Sequence, residues 1–280
     1  AGALIGGTLF ALLILTGTGI ATAVIGWGVL SAVQGAGFSA ETNVTPIVLA
    51  VALLPFVALA IALPRIRRLP ADAPAKMPGF IAPYVEIFWR YGYAVLPVLA
   101  FVSFYRMGDV LTLTLSHPLW NAAGYSLEQI SMADGLVALT CSMAGVAVGG
   151  LCAARLPMTV ALIIGACASA IGNWVFVWLW YAEPSAFVLY VAAGVDQFGH
   201  GLEGAVFVVY LSMLVSPRYP GTQYAFLSGF AFLLPRLIGG AAGAIQKQIG
   251  YDGFFILSGA LSFAAIFFLP FVMRARARTA

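Results

Sequence analysis

The chain has 280 residues, of which 62% are hydrophobic and 8% are charged, and its formal net charge is +3. An average soluble domain has about 25% charged residues, so this chain has too few solvated side chains to cover a water-facing surface. The composition excludes a soluble enzyme, a disordered tail and a secreted disulfide scaffold, and the small charge does not indicate a nucleic-acid partner. Three cysteines in apolar stretches indicate neither paired thiols nor a metal site, and we expect no cofactor.

Eight stretches are long and apolar enough to cross a hydrocarbon core of about 30 Å. Their continuous apolarity favours helices, because barrel strands would alternate apolar and polar residues. The sequence therefore predicts an all-α integral membrane protein, a bundle of about eight transmembrane helices. The predicted spans are 3–29, 43–64, 93–115, 127–153, 158–181, 185–215, 222–246 and 251–273.

Residues 65–92 form the one hydrophilic stretch and combine several prolines with mixed charges, which is typical of a linker. We predict that 1–64 contributes two spans and that 93–280 forms a six-helix bundle with a basic tail. The aromatic end of the linker, 84–91, is expected in the membrane interface. The chain opens in apolar sequence without an initiator Met or a basic n-region. We therefore expect a fragment that lacks earlier spans.

The distribution of Lys and Arg predicts the orientation of the chain in the membrane. Under the eight-span threading, ten of the 13 cationic residues lie on one side. The linker and the C-terminus are therefore expected in the cytoplasm. The ten residues are Arg65, Arg67, Arg68, Lys76, Arg90, Arg155, Arg218, Arg274, Arg276 and Arg278.

Local signals predict helix ends and helix contacts. Ser126 precedes Gln129 by three residues, which indicates a capping box before the fourth span. Two small-xxx-small pairs are typical of close helix packing in membranes. These pairs are Gly145 with Gly149, and Gly239 with Gly243.

Six charged residues and one histidine fall well inside predicted spans. Each charge at mid-membrane costs roughly 3 kcal/mol, so six reach of order 20 kcal/mol, more than the about 5–15 kcal/mol of net stability of a folded domain. These groups must therefore be paired, protonated or in contact with water, and they are functional candidates. They are Arg106, Asp109, Asp134, Asp196, His200, Glu203 and Arg236.

The sharpest pattern is Asp196, His200 and Glu203, at positions i, i+4 and i+7 of one helix face. Carboxylates and an imidazole in a row are suited to proton transfer, because each group titrates when its solvation changes. We therefore predict a proton-coupling site. The alternative is a buried network that only ties spans together.

The other intramembrane charges allow more than one interpretation. Arg106 and Asp109 are three residues apart and can pair, either structurally or as part of a substrate cavity. Arg236 follows a proline and needs an acidic partner or an anionic ligand. Asp134 lies two turns into its span, as a gate or as a shallow, wet residue.

Four motifs resemble the AmpG-type muropeptide permeases of the major facilitator superfamily. They are "YRMGD" (105–109), "GYSLEQI" (124–130), "AVFVVYLSML" (205–214) and "GTQYAFLSGF" (221–230), and Arg236 follows the last of them. The resemblance implies a twelve-span fold of six plus six helices, of which the first four spans are missing. It also implies proton-driven import of peptidoglycan fragments across the inner membrane. The acetyl-coenzyme A transporters are a related group with a similar pattern.

This chain departs from the family pattern at His200, Glu203 and Asp134. The substrate therefore stays open between muropeptides and another anion, such as an acyl-coenzyme A or a small organic anion. A further alternative is an integral-membrane transferase that uses Asp196, His200 and Glu203. The short connections favour a transporter without catalytic residues. The expected partners are the lipid bilayer, a solute and protons, but no nucleic acid, and the full-length protein is expected to be a monomer.

Overall fold

The computed structural model describes residues 63–64, 66–70 and 73–274, and the regular structure in these ranges is helical. The predicted spans 3–29 and 43–64 lie outside the described residues, except for the last two positions. The helices are α1 (Ala73–Lys76), α2 (Ala82–Tyr91), α3 (Val95–Tyr105), α4 (Met107–Ala122), α5 (Leu127–Met132), α6 (Ala138–Arg155), α7 (Met158–Tyr181), α8 (Ala186–Leu214), α9 (Pro220–Gly239), α10 (Ala242–Ala264) and α11 (Leu269–Met273).

Four helical runs are long and apolar enough to cross a membrane, which confirms the predicted all-α membrane bundle. They are Ala82–Ala122, Leu127–Arg155, Met158–Tyr181 and Ala242–Met273. Two more helices, α8 with 29 residues and α9 with 20 residues, are long enough but carry the intramembrane polar residues that lower their mean hydropathy.

The first run begins earlier than the predicted span 93–115. Helix α2 starts at Ala82, and Pro83 lies in its first turn, where proline costs no hydrogen bond. Gly92 has a φ of 55°, and a short 3-10 turn (Gly92–Ala94) joins α2 to α3. The aromatic segment 84–91 is therefore helical and continues into the span.

The last two spans divide at a different point from the prediction. Helix α9 ends at Gly239, seven residues before the predicted limit of 246, and the backbone leaves the helical range at Ala241, with φ −97° and ψ 1°. Helix α10 then begins at Ala242 and kinks at Gly250, whose φ of 76° is accessible to glycine at little cost. The predicted start at 251 coincides with this kink.

The capping box that the sequence predicts is present. The Ser126 hydroxyl accepts from the Gln129 amide, and the Gln129 side chain accepts from the Ser126 amide. The backbone N–H groups of Ser126 and Gln129 have no partner within the helix, and both thereby form a hydrogen bond. A single turn of π-helix (Ala133–Val137) joins α5 to α6.

Helices α6 and α8 approach through glycines. Gly145 faces the backbone of Phe198, and Gly149 faces the backbone of Leu202. This pair therefore packs helices as predicted. For the second predicted pair, Gly239 lies near Thr114, but Gly243 has no atom within 4 Å of the position of an added Cβ.

We expect Gly149→Ala to destabilise the protein by about 1–3 kcal/mol. An added methyl group meets the Cα of Leu202 at 2.9 Å and its carbonyl oxygen more closely still, and backbone atoms cannot move aside locally. Thermal unfolding in detergent measures the effect. The matched control is Gly150→Ala, because Gly150 has open space around it. Equal unfolding temperatures for the two variants would show that this contact is not tight.

At each end of the bundle, hydrogen bonds join residues that are far apart in the sequence. At one end, Arg90 and the Tyr91 hydroxyl both donate to the carbonyl of Leu214, at 2.8 and 3.0 Å. At the other end, the Tyr181 hydroxyl donates to Asp252 at 2.7 Å. The start of the first run and the end of α8 therefore lie on the same side, as alternating spans require.

We expect cysteines at Ala73 and Ala186 to be labelled from opposite sides of the membrane by an impermeant thiol reagent. Ala73 belongs to the segment before the first run, and Ala186 begins α8 at the other end of the bundle. The native cysteines are replaced first. Labelling of both positions from one side would contradict the threading.

Candidate functional site

The candidate site lies where the first helical run is interrupted. Arg106 separates α3 from α4, with φ −95° and ψ 0°, which is outside the helical range. The preceding Tyr105 belongs to one apolar core cluster and the following Met107 to another. The side chain of Arg106 thus leaves the helix between two apolar regions.

Five charged or titratable side chains form one cluster: Arg106, Asp109, Asp196, His200 and Glu203. Asp109 is at the centre of this cluster and is 1% exposed. One carboxylate oxygen lies 2.5 Å from Nη1 of Arg106, and the other lies 2.9 Å from Nε2 of His200. The Ser169 hydroxyl donates to Asp109 at 3.0 Å. Three helices, α4, α7 and α8, therefore meet at one carboxylate.

The predicted face of α8 points into the same cluster. Nε2 of His200 lies 3.4 Å from Oδ1 of Asp196, and both side chains are largely buried. The Gln197 amide donates to the other oxygen of Asp196 at 3.3 Å. Close approach of α7 at Gly172, which faces the backbone of Asp196, helps to bury this region.

Glu203 completes the cluster and is fully buried. Its Oε2 accepts from Nη1 of Arg106 at 3.5 Å, while Oε1 makes no hydrogen bond among the described residues. Asp109 and Glu203 thus share a single guanidinium nitrogen. The structure brings together five of the seven predicted site residues: Arg106, Asp109, Asp196, His200 and Glu203.

The cluster contains more acidic than basic groups. Three carboxylates face one guanidinium and one imidazole. With every group ionised and the imidazole protonated, the cluster still has one negative charge too many. A buried net charge is expensive in a low-dielectric environment. One additional proton makes the cluster neutral. A site that binds a proton needs such a group whose protonation removes an unfavourable buried charge.

Hydroxyl and amide groups extend the polar region away from Asp109. The Ser169 and Ser262 hydroxyls lie 3.3 Å apart, and Asn173 donates to Ser262 at the same distance. Thr112 donates to Asn173 at 2.5 Å and lies 2.8 Å from Ser258. These neutral residues form a continuous buried network between α4, α7 and α10.

The sequence prediction missed this network, although the spacing contained a signal. Ser169 and Asn173 are four residues apart on α7, and Ser258 and Ser262 are four apart on α10. Paired small polar residues at helical spacing indicate one polar face, as they did for the charged residues. Neutral polar residues are cheaper in lipid than charges, so they stand out less in the sequence.

Arg236 lies outside the cluster and is exposed. It has no ion-pair partner among the described residues. Its guanidinium carbon lies 5.6 Å from the ring centre of Phe232, and the guanidinium carbon of Arg106 lies 5.3 Å from the same centre. The structure thus connects Arg236 to the cluster through one aromatic ring.

Asp134 also lies apart from the cluster. Its carboxylate is 2.5 Å from Nε2 of His117, and both side chains are about half exposed. His117 also contacts the Trp120 ring edge-on, at 5.0 Å between centroids. The sequence prediction missed His117, because residue 117 lies beyond the predicted limit of its span at 115.

The described residues contain no group of three or more His, Cys, Asp or Glu side chains that could hold a metal ion. All three cysteines are free thiols. The cluster can therefore bind and release protons and can form ion pairs, but its arrangement does not indicate a metal centre.

These features define a polytopic α-helical membrane protein with a buried cluster of titratable side chains. No family model matches the chain. Relatives are found among curated proteins, and the chain spans less than half the length of each one described below.

The chain is 30% identical over 192 residues to "Putative transporter AmpG 4" of Rickettsia conorii, which covers 69% of this chain and 46% of the relative. The protein of the same name from Rickettsia felis is 29% identical over the same shares. An "Uncharacterized protein" of Haemophilus influenzae is 25% identical over 185 residues, 63% of this chain and 44% of the relative. The AmpG relatives confirm the resemblance to AmpG-type permeases, and their names describe those relatives as putative transporters.

Proposed function

We propose that this chain is part of a proton-coupled secondary transporter of the inner membrane that imports an anionic solute, muropeptides above all. The observation that carries this proposal is the buried cluster around Asp109, inside helices that cross the membrane. Charged groups in such helices are costly and mark pathways for ions and substrates. The names of the AmpG relatives support the same role.

The proton part of the proposal rests on Asp196, His200 and Glu203. Asp109 and Glu203 contact the same nitrogen of Arg106, so two ionised carboxylates there repel each other. A proton on one carboxylate of the cluster removes its excess charge. Alternating access changes the solvation of such a site and can therefore load the proton on one side and release it on the other.

The anion part of the proposal rests on Arg236. Its guanidinium is exposed and has no carboxylate partner among the described residues, yet it lies next to an aromatic ring that also contacts the cluster. A carboxylate or phosphate forms strong, bidentate hydrogen bonds with a guanidinium. Muropeptides carry carboxylates and acyl-coenzyme A carries phosphates, so both substrate classes fit this chemistry.

Uptake by the full-length protein in proteoliposomes tests the proposal. We expect labelled muropeptide to accumulate when the outside is acidic and only to equilibrate when the pH is equal on both sides. Accumulation of acetyl-coenzyme A but not of muropeptide would retain the coupling and change the substrate. Chemical turnover without dependence on the gradient would instead support the transferase alternative, and uptake that ignores the gradient contradicts proton coupling.

We expect Arg236→Gln to reduce muropeptide uptake by at least tenfold, because a charge-assisted contact with the anion contributes about 1.5–3 kcal/mol. Arg236→Lys keeps the charge but loses the planar fork, so its uptake lies between Arg236→Gln and the wild type. Initial rates over a range of substrate concentrations measure the change as a higher KM. Lys247→Gln is the control. Unchanged uptake in both Arg236 variants would remove Arg236 from the site.

A further inference from the structure

The ring of Phe232 contacts both arginines of the site. The guanidinium carbons of Arg106 and Arg236 lie 5.3 and 5.6 Å from its centre, so they are no farther apart than the sum of those distances. Arg106 also approaches the ring of Phe207, at 5.8 Å. Both distances to Phe232 are within the range in which the face of an aromatic ring attracts a cation.

The two arginines differ in their surroundings. Arg106 is 15% exposed and contacts the carboxylates of Asp109 and Glu203, and Asp109 in turn contacts His200. Arg236 is exposed and contacts no carboxylate among the described residues. Phe232 therefore contacts both a neutralised, buried cation and a cation that is open to an anionic ligand.

We propose that Phe232 couples anion binding at Arg236 to proton binding at Glu203, an inference that rests on the proposed function. A proton on Glu203 removes one of the two carboxylate partners of Arg106. The positive charge of Arg106 is then less neutralised, and it attracts an anion that is bound at Arg236. By linkage, the bound anion raises the affinity of Glu203 for the proton by the same factor.

The ring matters because an apolar side chain next to both guanidiniums excludes water from the surfaces that it covers. Electrostatic interaction is far stronger through an apolar side chain than through water. Leucine at 232 is smaller and has no π system, so water enters beside it and screens Arg106 from the anion. Tyrosine keeps the ring and its quadrupole. Phe232 is thus a positioning residue that strengthens the electrostatic interaction between Arg106 and the anion without itself binding a proton.

Proton uptake on ligand binding tests this role without a membrane gradient. Purified full-length protein in weakly buffered detergent solution is mixed with muropeptide or with acetyl-coenzyme A, and the pH change and the bound ligand are both measured. We expect about one proton per bound anion for the wild type and for Phe232→Tyr. For Phe232→Leu we expect binding within about threefold of the wild type and proton uptake reduced at least threefold.

Phe271→Leu is the matched control, because Phe271 is exposed and contacts neither arginine in the structure. Wild-type proton uptake by Phe232→Leu, or equal losses in Phe232→Leu and Phe232→Tyr, would overturn the inference. Failure of the wild type to accumulate solute under a pH gradient, with proton uptake on binding intact, contradicts the proposed function. That result leaves the coupling role of Phe232 in place.

Discussion

In Asp196→Asn, we expect muropeptide accumulation driven by a pH gradient to fall to the equilibrium level. One pH unit corresponds to about 1.36 kcal/mol, which supports about tenfold accumulation for one proton per solute. Asp196 is 3% exposed, and among the described residues its carboxylate has polar contacts only with His200 and Gln197, neither of which is a permanent cation. Asparagine has similar size but takes up no proton. Uptake into proteoliposomes at an imposed gradient measures the loss.

Exchange of labelled for unlabelled solute without a gradient separates loss of coupling from loss of the protein. We expect this exchange to survive in Asp196→Asn, since it needs no net proton movement. Asp252→Asn is the control, because Asp252 pairs with Tyr181 at the end of the bundle and not in the cluster. Asp196 is expected to take up the proton that then reaches Glu203 on the same helix face, so full accumulation by Asp196→Asn would show that Glu203 is protonated without Asp196.

Removing Arg106 is expected to destabilise the protein by about 3–5 kcal/mol, because its carboxylate partners stay buried without it. Arg106→Met leaves Asp109 with His200 and leaves Glu203 without its cation. The double variant Arg106→Met with Asp109→Asn removes one of these carboxylates as well. We therefore expect it to regain about 0.5–3 kcal/mol relative to Arg106→Met alone. Reversible unfolding in mixed micelles measures the free energies.

Asp109→Asn alone is expected to be the milder single change, since Arg106 keeps Glu203 as a partner. The cycle is complete when all four proteins are measured under the same conditions. Strictly additive losses would mean that Arg106 and Asp109 do not stabilise each other. Arg218→Met with Glu183→Gln, two residues without a contact between them in the structure, gives the additive reference.

Much of the bundle could be predicted because lipid imposes a simple rule on sequence. A span needs about 20 apolar residues, and Met158–Tyr181 matched its predicted limits fully. The errors occurred where the backbone breaks locally within apolar sequence. The break at Ala241 and the kink at Gly250 depend on local φ and ψ values, and apolarity does not report them.

The site could be predicted only within one helix at a time. The spacing of Asp196, His200 and Glu203 placed them on one face, and the structure keeps them together. The sequence does not contain the order in which helices pack, so it could not show that Asp109 on α4 meets His200 on α8. The same limit hid the pairing of His117 with Asp134 and the contact of the Phe232 ring with both arginines.

In the run Leu127–Arg155, only 11% of the most apolar 18-residue stretch is buried inside the structure. Leu139 and Met143 are exposed in the structure, and in a membrane we expect them to contact acyl chains, which do not distinguish one apolar side chain from another of similar size. At Gly145 and Gly149 an added methyl group would meet the backbone of α8. Related proteins are therefore expected to vary freely around most of this helix and to retain one narrow line of glycine, so that sequence drift alone marks the side of the helix that faces the protein.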